Sequence, residues 1–503
     1  MSKTITAEHL RSVEPMSAEL TADYLEHYAV FPVGLSDGIV RVATWQDDVD
    51  PQALDDMAVH FERRVELVRM PETEVRAAIH RVYGDRGFSA SDFIDDLGAV
   101  ASKPEVGEVT LDDLLEHVND PPVVKLTNLL LVEALDSRAS DIHIEVFADS
   151  LRVRYRVDGV LQEAPAPPLH LMPSVISRLK LMAGLSVAER RAPQDGRIAL
   201  NLGDHRIDVR VSTLPTVPGE SLVLRLLDRR AGLMKLQDLG MANDTLEQLK
   251  HVIEQSQGIV LATGPAGSGT TTTLYAVIDQ IRSGREKILT VEDTVEYELP
   301  GVPQVSVRGN GGVSFCTALE AALGQDPDVL LIGEIRDPET ADFATRGAQV
   351  GHLVFSTLHT NDASASLTHL LDLKVPAYLV ASTVQAVLAQ RLVRTVCLHC
   401  VEERPAGSAL KAAFGAASES VTKIRTGRGC DQCRGTGYLG RTGVFELLVV
   451  DDEIRSLVQQ RSGVGELRRL AIASGMRTLM QDGLRRIGEG VTTPDEVLRV
   501  VRS

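Results

Sequence analysis

The chain has 503 residues, 44% hydrophobic, 24% charged and 4% aromatic, an ordinary globular mix long enough for about three domains of ~150 residues. Its 52 Lys and Arg against 70 Asp and Glu leave a net charge of −18, which disfavours nucleic acid as a partner, and the few aromatics argue against a base-stacking channel. No apolar stretch approaches the ~20 residues that span a bilayer, and the opening MSKTITAEHLRSVEP lacks the apolar core of a secretory signal, so a cytoplasmic location is expected.

In chain order, YAVFPVGLSDGIVRVATWQDD alternates as short strands, and DPQALDDMAVHFERRVELV reads as a helix returning to a strand, together a small α+β domain from about Tyr24 to Tyr83. Gly84 to Glu116 mixes Gly, Ser, Asp and Pro and is either a linker or a loosely packed acidic segment. PPVVKLTNLLLVEALDSRASDIHIE then has helical apolar spacing, while LRVRYRVDGVLQE and HRIDVRVSTLP alternate as strands, predicting a second α+β domain to about Asp228 and a basic hinge at Arg229-Arg230. Beyond it, DTLEQLKHVIEQSQGIVLATGPAGSGTTTTLYAVIDQIRSG reads as helix, buried strand, glycine loop and helix, the opening of a parallel α/β sheet. Near the end, Thr493-Pro494-Asp495-Glu496 has the signature of a capped helix start: a capping threonine, a proline at the first helical position and a glutamate three residues after the cap.

The glycine loop Gly264-Pro265-Ala266-Gly267-Ser268-Gly269-Thr270-Thr271 sits between strand and helix, the context in which G-x-x-x-x-G-K-[ST] cradles phosphate on backbone N–H groups and a helix N-terminus. Position 270 is Thr where the motif calls for Lys. A hydroxyl brings no charge, so nucleotide affinity, and still more the stabilisation of a migrating γ-phosphate, should fall. Thr271 keeps the hydroxyl expected to ligate Mg²⁺. The apolar strand before Glu334 and the strand ILTVEDTVEY, with Glu292, Asp293 and Glu296 at its end, place carboxylates where a metal and a water would be held. His352 and His359 flank the strand LVFSTL. Cys397-Leu-His-Cys400 and Cys430-Asp-Gln-Cys433, 29 residues apart, have the spacing of a closed, structural Cys₄ zinc site, with disulfide pairing as the alternative. Cys316 reads as a small core residue.

GPAGSGTTTTLYA, TVEDTVEY, QDPDVLLIGEIRD, GHLVFSTLHTNDA and AQRLVR, preceded by ASDIHIE, RYRVDG and APQDGRI, resemble the secretion ATPase superfamily. More narrowly they resemble the cytoplasmic ATPase of type II secretion systems, with type IV pilus assembly ATPases as close relatives. The resemblance implies an α/β fold: a RecA-like P-loop core preceded by two α+β domains, with a tetracysteine zinc insertion and a helical C-terminus. The implied division is an N-terminal partner-docking domain (1–100), an acidic linker (101–118), a PAS-like domain closing over nucleotide (119–230) and an ATPase domain (231–503). The last includes a zinc module (391–446) and C-terminal helices (447–503).

The resemblance also assigns roles. ATP would lie on Gly264, Pro265, Ala266, Gly267, Ser268, Gly269, Thr270, Thr271 and Thr272, with Mg²⁺ on Thr271 and Asp293 and Zn²⁺ on Cys397, Cys400, Cys430 and Cys433. Glu334 would position water. Glu292, Arg210, Arg225 and His359 complete the implied catalytic set, with Glu296 in the same acidic box and His352 paired with His359 in a histidine box. The implied partners are five further copies in a homo-hexamer, the cytoplasmic domain of a bitopic inner-membrane component and a polytopic platform protein. The chain would sit peripherally on the inner membrane and bind no nucleic acid. Its departures from the family pattern nearly all remove positive charge: Thr270, Glu320, Gly324 and His369 stand at cationic positions, and Thr294 replaces a proline, while Arg346 and Arg308 add charge elsewhere. Three readings follow: an ATPase driving pseudopilus assembly and export of folded proteins, a nucleotide-binding scaffold of the same machinery, or a pilus assembly ATPase.

Overall fold

The computed structural model describes residue 20 and residues 22–36, 39–46, 49–61, 63–79, 121–147, 150–202, 205–217, 219–228, 233–307 and 314–501. The acidic stretch from Gly84 to Glu116, the Arg229-Arg230 hinge and Arg308 lie outside them. The described residues fall into two compact units. One holds the residues up to 79 with 121–133 and 165–175, and the other holds 134–164 and 176–501.

In the first unit, helix α1 (Ala22–His27) precedes strands β1 (Val30–Ser36) and β2 (Ile39–Thr44), and α2 (Pro51–Phe61) leads to β3 (Arg64–Arg69) and α3 (Glu72–Ile79). β1 and β2 form an antiparallel hairpin, and β3 joins β2 in parallel. A parallel neighbour needs a crossover, which α2 supplies. Leu25, Phe31, Val40, Val42, Met57 and Ile79 close the core beneath the sheet. Helix α4 (Pro121–Asp136) contributes residues to both units.

The second unit begins with a six-stranded antiparallel sheet: β4 (Ala139–Val146), β5 (Leu151–Val157), β6 (Val160–Ala164), β7 (Gln194–Leu202), β8 (His205–Thr216) and β9 (Gly219–Asp228), in the order β6-β5-β4-β9-β8-β7. Alternation decides its faces: Ile142, Val153, Val209, Val211, Leu222 and Leu224 are buried, and the residues between them face the other way. Helix α5 (Met172–Met182) is tied to β9 by a buried ion pair, Lys180 to Glu220 at 2.7 Å.

The rest of this unit is a seven-stranded sheet, ordered β12-β11-β13-β14-β10-β15-β18. After α6 (Asn243–Ile253), β10 (Gly258–Thr263) runs into α7 (Thr270–Ile281), then come β11 (Ile288–Glu292), β12 (Gln304–Ser306), α8 (Phe315–Leu323), β13 (Val329–Ile332), α9 (Pro338–Gln349) and β14 (Leu353–Leu358). Helices α10 (Ala363–Asp372) and α11 (Ala377–Thr383) precede the long strand β15 (Val384–Val396). β10, β11, β13 and β14 are buried at every position, as a parallel sheet covered on both faces requires. Ile259 and Leu261 enter one core, and Val260 and Ala262 the other. The segment 401–427 forms a small hairpin, β16 (Val401–Pro405) with β17 (Lys423–Gly427), spanning helix α12 (Ser408–Phe414). β18 (Tyr438–Val449) then returns antiparallel to β15. Four helices end the chain: α13 (Asp452–Gln459), α14 (Val464–Ala473), α15 (Leu479–Gly488) and α16 (Pro494–Val501). Cys316 is half-buried against the first of these cores.

The predicted start of α16 holds, with Thr493 Oγ1 accepting the Glu496 N–H at 3.3 Å. Glu496 itself does something its position does not announce. Its carboxylate turns to β15 and accepts the Arg394 N–H at 3.0 Å and both guanidinium contacts of Arg394 at 3.0 and 2.8 Å, together with Arg499. Arg394 also stacks 4.0 Å from the Tyr438 ring centroid. Burial works to raise the Glu496 carboxyl, but the hydrogen bonds from Arg499 and Arg394 outweigh it and hold the group down to about 2. A lowered folded-state value stabilises above the ordinary carboxylate range and is lost as pH falls toward 2. Glu496→Gln is therefore expected to lower stability by about 3 kcal/mol at neutral pH. In urea titrations the difference from wild type should shrink between roughly pH 4.5 and 2.

Candidate nucleotide site and metal centre

β10 ends at Thr263, whose hydroxyl donates to the Leu358 carbonyl at 3.0 Å, and Gly264 N–H donates to the same carbonyl at 3.3 Å. The chain then turns through Gly267 and Gly269, at φ +77° and +85°, before α7 begins at Thr270. The turn is packed tightly on one side. A Cβ on Gly264 would fall 2.4 Å from Ser268 Oγ and 2.6 Å from the Gln390 carbonyl, and one on Gly269 would fall 2.9 Å from Gln390 Nε2. Gln390, buried on β15, also accepts a 2.6 Å hydrogen bond from Thr273 Oγ1 of α7. This support was not anticipated; its signal in the sequence is a glutamine inside the otherwise apolar run VLAQRLV. Pro265, Ala266 and Gly267 are exposed and form the outer lip, whereas Ser268 Oγ is buried with no hydrogen-bond partner among the described residues.

The first turn of α7 is linked to the segment after β11. The Thr271 hydroxyl acts to lower the Glu296 carboxyl, Thr272 acts likewise on the Tyr297 hydroxyl, and Tyr297 meets Tyr275 edge-on with ring centroids 4.7 Å apart. Glu296 is exposed at the mouth of the site. Crowding by protein pushes its carboxyl up, Glu292 adds to this, and Arg210 and Arg225 pull it down. Burial pushes the Tyr297 hydroxyl up to about 12.

Glu292, to which the family resemblance gives a catalytic role, is held inside the fold. Its carboxylate is enclosed and accepts from Tyr275 OH at 2.5 Å, Thr290 Oγ1 at 2.7 Å and Gln304 Nε2 at 3.3 Å. Three donors inside the fold satisfy the buried charge, so Glu292 braces β11 against α7 and β12, leaving Asp293 and Glu296 on the more open side. Burial and the Glu292 charge push the Tyr275 hydroxyl far above its ordinary range.

Glu334 follows β13, pairs with Arg336 and lies 3.2 Å from His359 Nε2. His359 Nδ1 is 3.1 Å from the Gly264 carbonyl. The ring therefore stands between the glycine loop and Glu334. His352 is not part of this arrangement, because β14 separates it from His359 by about 20 Å. Arg210 and Arg225 are direct cross-strand partners on β8 and β9, and Arg225 Nε lies 3.0 Å from Asp141 Oδ1 of β4. The same unit is joined at a second point, where the Gly440 N–H of β18 donates to Asp158 Oδ2 at 2.9 Å.

The four cysteines converge. Their Sγ atoms all lie within 4.8 Å of one another, with 3.9 Å from Cys397 to Cys430, 3.8 Å from Cys400 to Cys433 and 3.7 Å from Cys430 to Cys433. Four thiolates at 2.3 Å around a tetrahedral ion stand about 3.8 Å apart, whereas a disulfide needs about 2.05 Å, so the geometry fits zinc. Burial raises the Cys433 thiol, but the Cys430 and Gly437 N–H groups outweigh this and draw it down to about 6; burial pushes Cys400 up to about 12. Close backbone approach frames the knuckle, where a Cβ on Gly427 would fall 2.1 Å from the Gly437 carbonyl.

A glycine turn feeding a helix on a parallel sheet, with hydroxyls, carboxylates and a histidine at the strand ends, defines a P-loop fold of the RecA-like kind. Comparison with known proteins narrows this. Residues 116–499 match the type II/IV secretion system protein family and residues 4–89 the MshEN domain. The chain is 46% identical to the type II secretion system protein HxcR of Pseudomonas aeruginosa, over 88% of this chain and 91% of that one. It is 42% identical to the type II secretion system protein E of Xanthomonas campestris, over 96% and 84%. With the type IV pilus assembly ATPase PilB of Myxococcus xanthus it shares 38% over 97% and 87%. Among solved structures it shares its fold with the ATPase DotB of Legionella pneumophila (TM-score 0.56, 18% identity, 75% of this chain and 95% of that one) and with the pilus retraction motor PilT bound to ADP (0.51, 24%, 74% and 95%). The chain belongs to the type II/IV secretion system protein family.

If the cysteine cluster holds one zinc per chain, metal analysis of purified protein should find close to one equivalent. Cys430→Ser should lower that content and bring down the thermal midpoint.

Proposed function

We propose that this chain is the ATPase of a type II secretion system, coupling ATP binding and hydrolysis to assembly of a pseudopilus that exports folded proteins. The observation that carries the reading is the bridge from the Gly264 carbonyl through His359 to Glu334, which ties the carboxylate suited to orient water to the loop suited to hold phosphate. Residues 264 to 272 would receive the phosphates of ATP. Thr271, Asp293 and Glu296 would hold a magnesium ion, because a hydroxyl and two carboxylates supply the hard oxygen donors it takes. When bound, that ion would neutralise phosphate charge. Glu334 holds and aligns water, and His359 reports on the loop beside it. Arg210 and Arg225 bring positive charge from the preceding sheet. In keeping with the family, the chain would work as a hexamer on the cytoplasmic face of the inner membrane, docked on a bitopic component and a polytopic platform. Among the described residues no helix is long and apolar enough to cross a membrane.

Thr270 favours a second reading, a nucleotide-binding scaffold in the same machinery. A charged hydrogen bond contributes about 1.5–3 kcal/mol net, and at the transition state the absent ammonium weighs more. Phosphate release at saturating Mg-ATP separates the two. The motor reading expects measurable turnover that falls at least ~100-fold in Glu334→Gln and rises in Thr270→Lys. Turnover absent from wild type and unchanged in Thr270→Lys would leave the scaffold.

A further inference from the structure

The segment that carries His359 is held from behind by a charge that the site described above does not use. His359 follows β14, and the three residues after it are each tied down. Thr360 N–H donates to Thr263 Oγ1 at 2.9 Å, the Asn361 carbonyl accepts from the Arg391 guanidinium at 3.1 Å, and Asp362 Oδ1 caps α10 by accepting the Ala365 N–H at 2.8 Å. Arg391 stands on β15, and β10 lies between that strand and β14. Its side chain thus reaches across the end of the strand that feeds the glycine turn, over about 10 Å at ~4.8 Å per strand spacing. A longer contact goes to Asn361 Oδ1 at 3.5 Å and another to the Gln390 carbonyl at 3.4 Å. That carbonyl is one of the two groups that leave no room for a side chain on Gly264. Because His359 Nδ1 lies 3.1 Å from the Gly264 carbonyl, the residues Gly264, His359, Asn361, Arg391 and Gln390 close a ring around the start of the turn.

A guanidinium is a poor choice for filling this space. Arg391 is 4% exposed, and its Nε is buried without a hydrogen-bond partner. Among the described residues no carboxylate lies within ion-pair distance of it, and Glu446 and Asp362 act on it only from farther away. Buried arginines ordinarily pair with a carboxylate, and a buried charge held by carbonyl oxygens alone costs stability that an apolar side chain of similar volume would not. The fold keeps that destabilising charge where it grips Asn361, two residues from His359. We infer that Arg391 is a positioning residue for hydrolysis: it fixes the segment that places His359 between Gly264 and Glu334. The inference rests on the ATPase reading given above.

The test is steady-state phosphate release by the full-length protein over a range of Mg-ATP concentrations, for Arg391→Met, Arg391→Lys and His359→Ala. Each is made in the wild-type and the Thr270→Lys background, with thermal midpoints recorded without nucleotide. Arg391→Met is expected to lower kcat about tenfold or more with KM little changed, because the reacting geometry is disturbed while the glycine turn keeps its own supports. Its nucleotide-free midpoint should stay level or rise, because a buried charge has gone. Arg391→Lys should recover part of the turnover, and His359→Ala should show the same kind of fall in kcat. Unchanged kcat in Arg391→Met or in His359→Ala, in a background that turns over, overturns the inference and leaves the ATPase reading standing. Loss of turnover with a lowered midpoint in both Arg391 variants overturns it in favour of a structural role. If neither background hydrolyses ATP, the ATPase reading fails and the inference falls with it.

Discussion

The working geometry of this molecule rests on the closeness with which one turn packs against one buried glutamine. Residues 264 and 269 have no room for a side chain because Gln390 stands beneath them, and the same glutamine holds Thr273 of the helix that follows. The turn is therefore shaped from below, by a neighbouring strand, as well as by its own glycines. A loop shaped in this way presents backbone N–H groups in a fixed array, which suits an anion whether or not a side chain assists.

The charge around that array is unusually distributed. The loop itself contributes none, since Thr270 stands where an ammonium is usual, and cations around it belong to other elements, among them Arg336 beside Glu334, and Arg210 and Arg225 on the antiparallel sheet. Positive charge that reaches Glu296 from a separate sheet makes the electrostatics of the site depend on two elements of the fold and not on the loop alone.

Sequence reasoning reached the parts of this site that are local. The order of buried strand, glycine turn and helix is contiguous from Gly258 to Ile281, and the two C-x-x-C pairs each bring their thiols together within a single turn, so both were legible from spacing. What was not legible depends on contacts between distant residues. The acidic cluster after β11 was visible, but the inward turn of Glu292 depends on Tyr275 and Gln304, which no pattern near it announces. The start of α16 was read from its threonine and proline. The destination of Glu496 was missed because Arg394 lies 102 residues earlier in the chain. His352 and His359 flank one strand in sequence and stand at its opposite ends in space, so only one reaches Glu334.

β15 has a consequence of its own. This single strand supports the glycine turn at Gln390, anchors the last helix through Arg394, and one residue beyond its end at Val396 becomes the first cysteine of the four-cysteine cluster. Bound edge to edge between β10 and β18, it has little freedom to stretch or bend. The cysteine cluster and the floor of the glycine turn are thus tethered to one continuous, doubly paired strand, so the registration of β15 fixes the spacing between them.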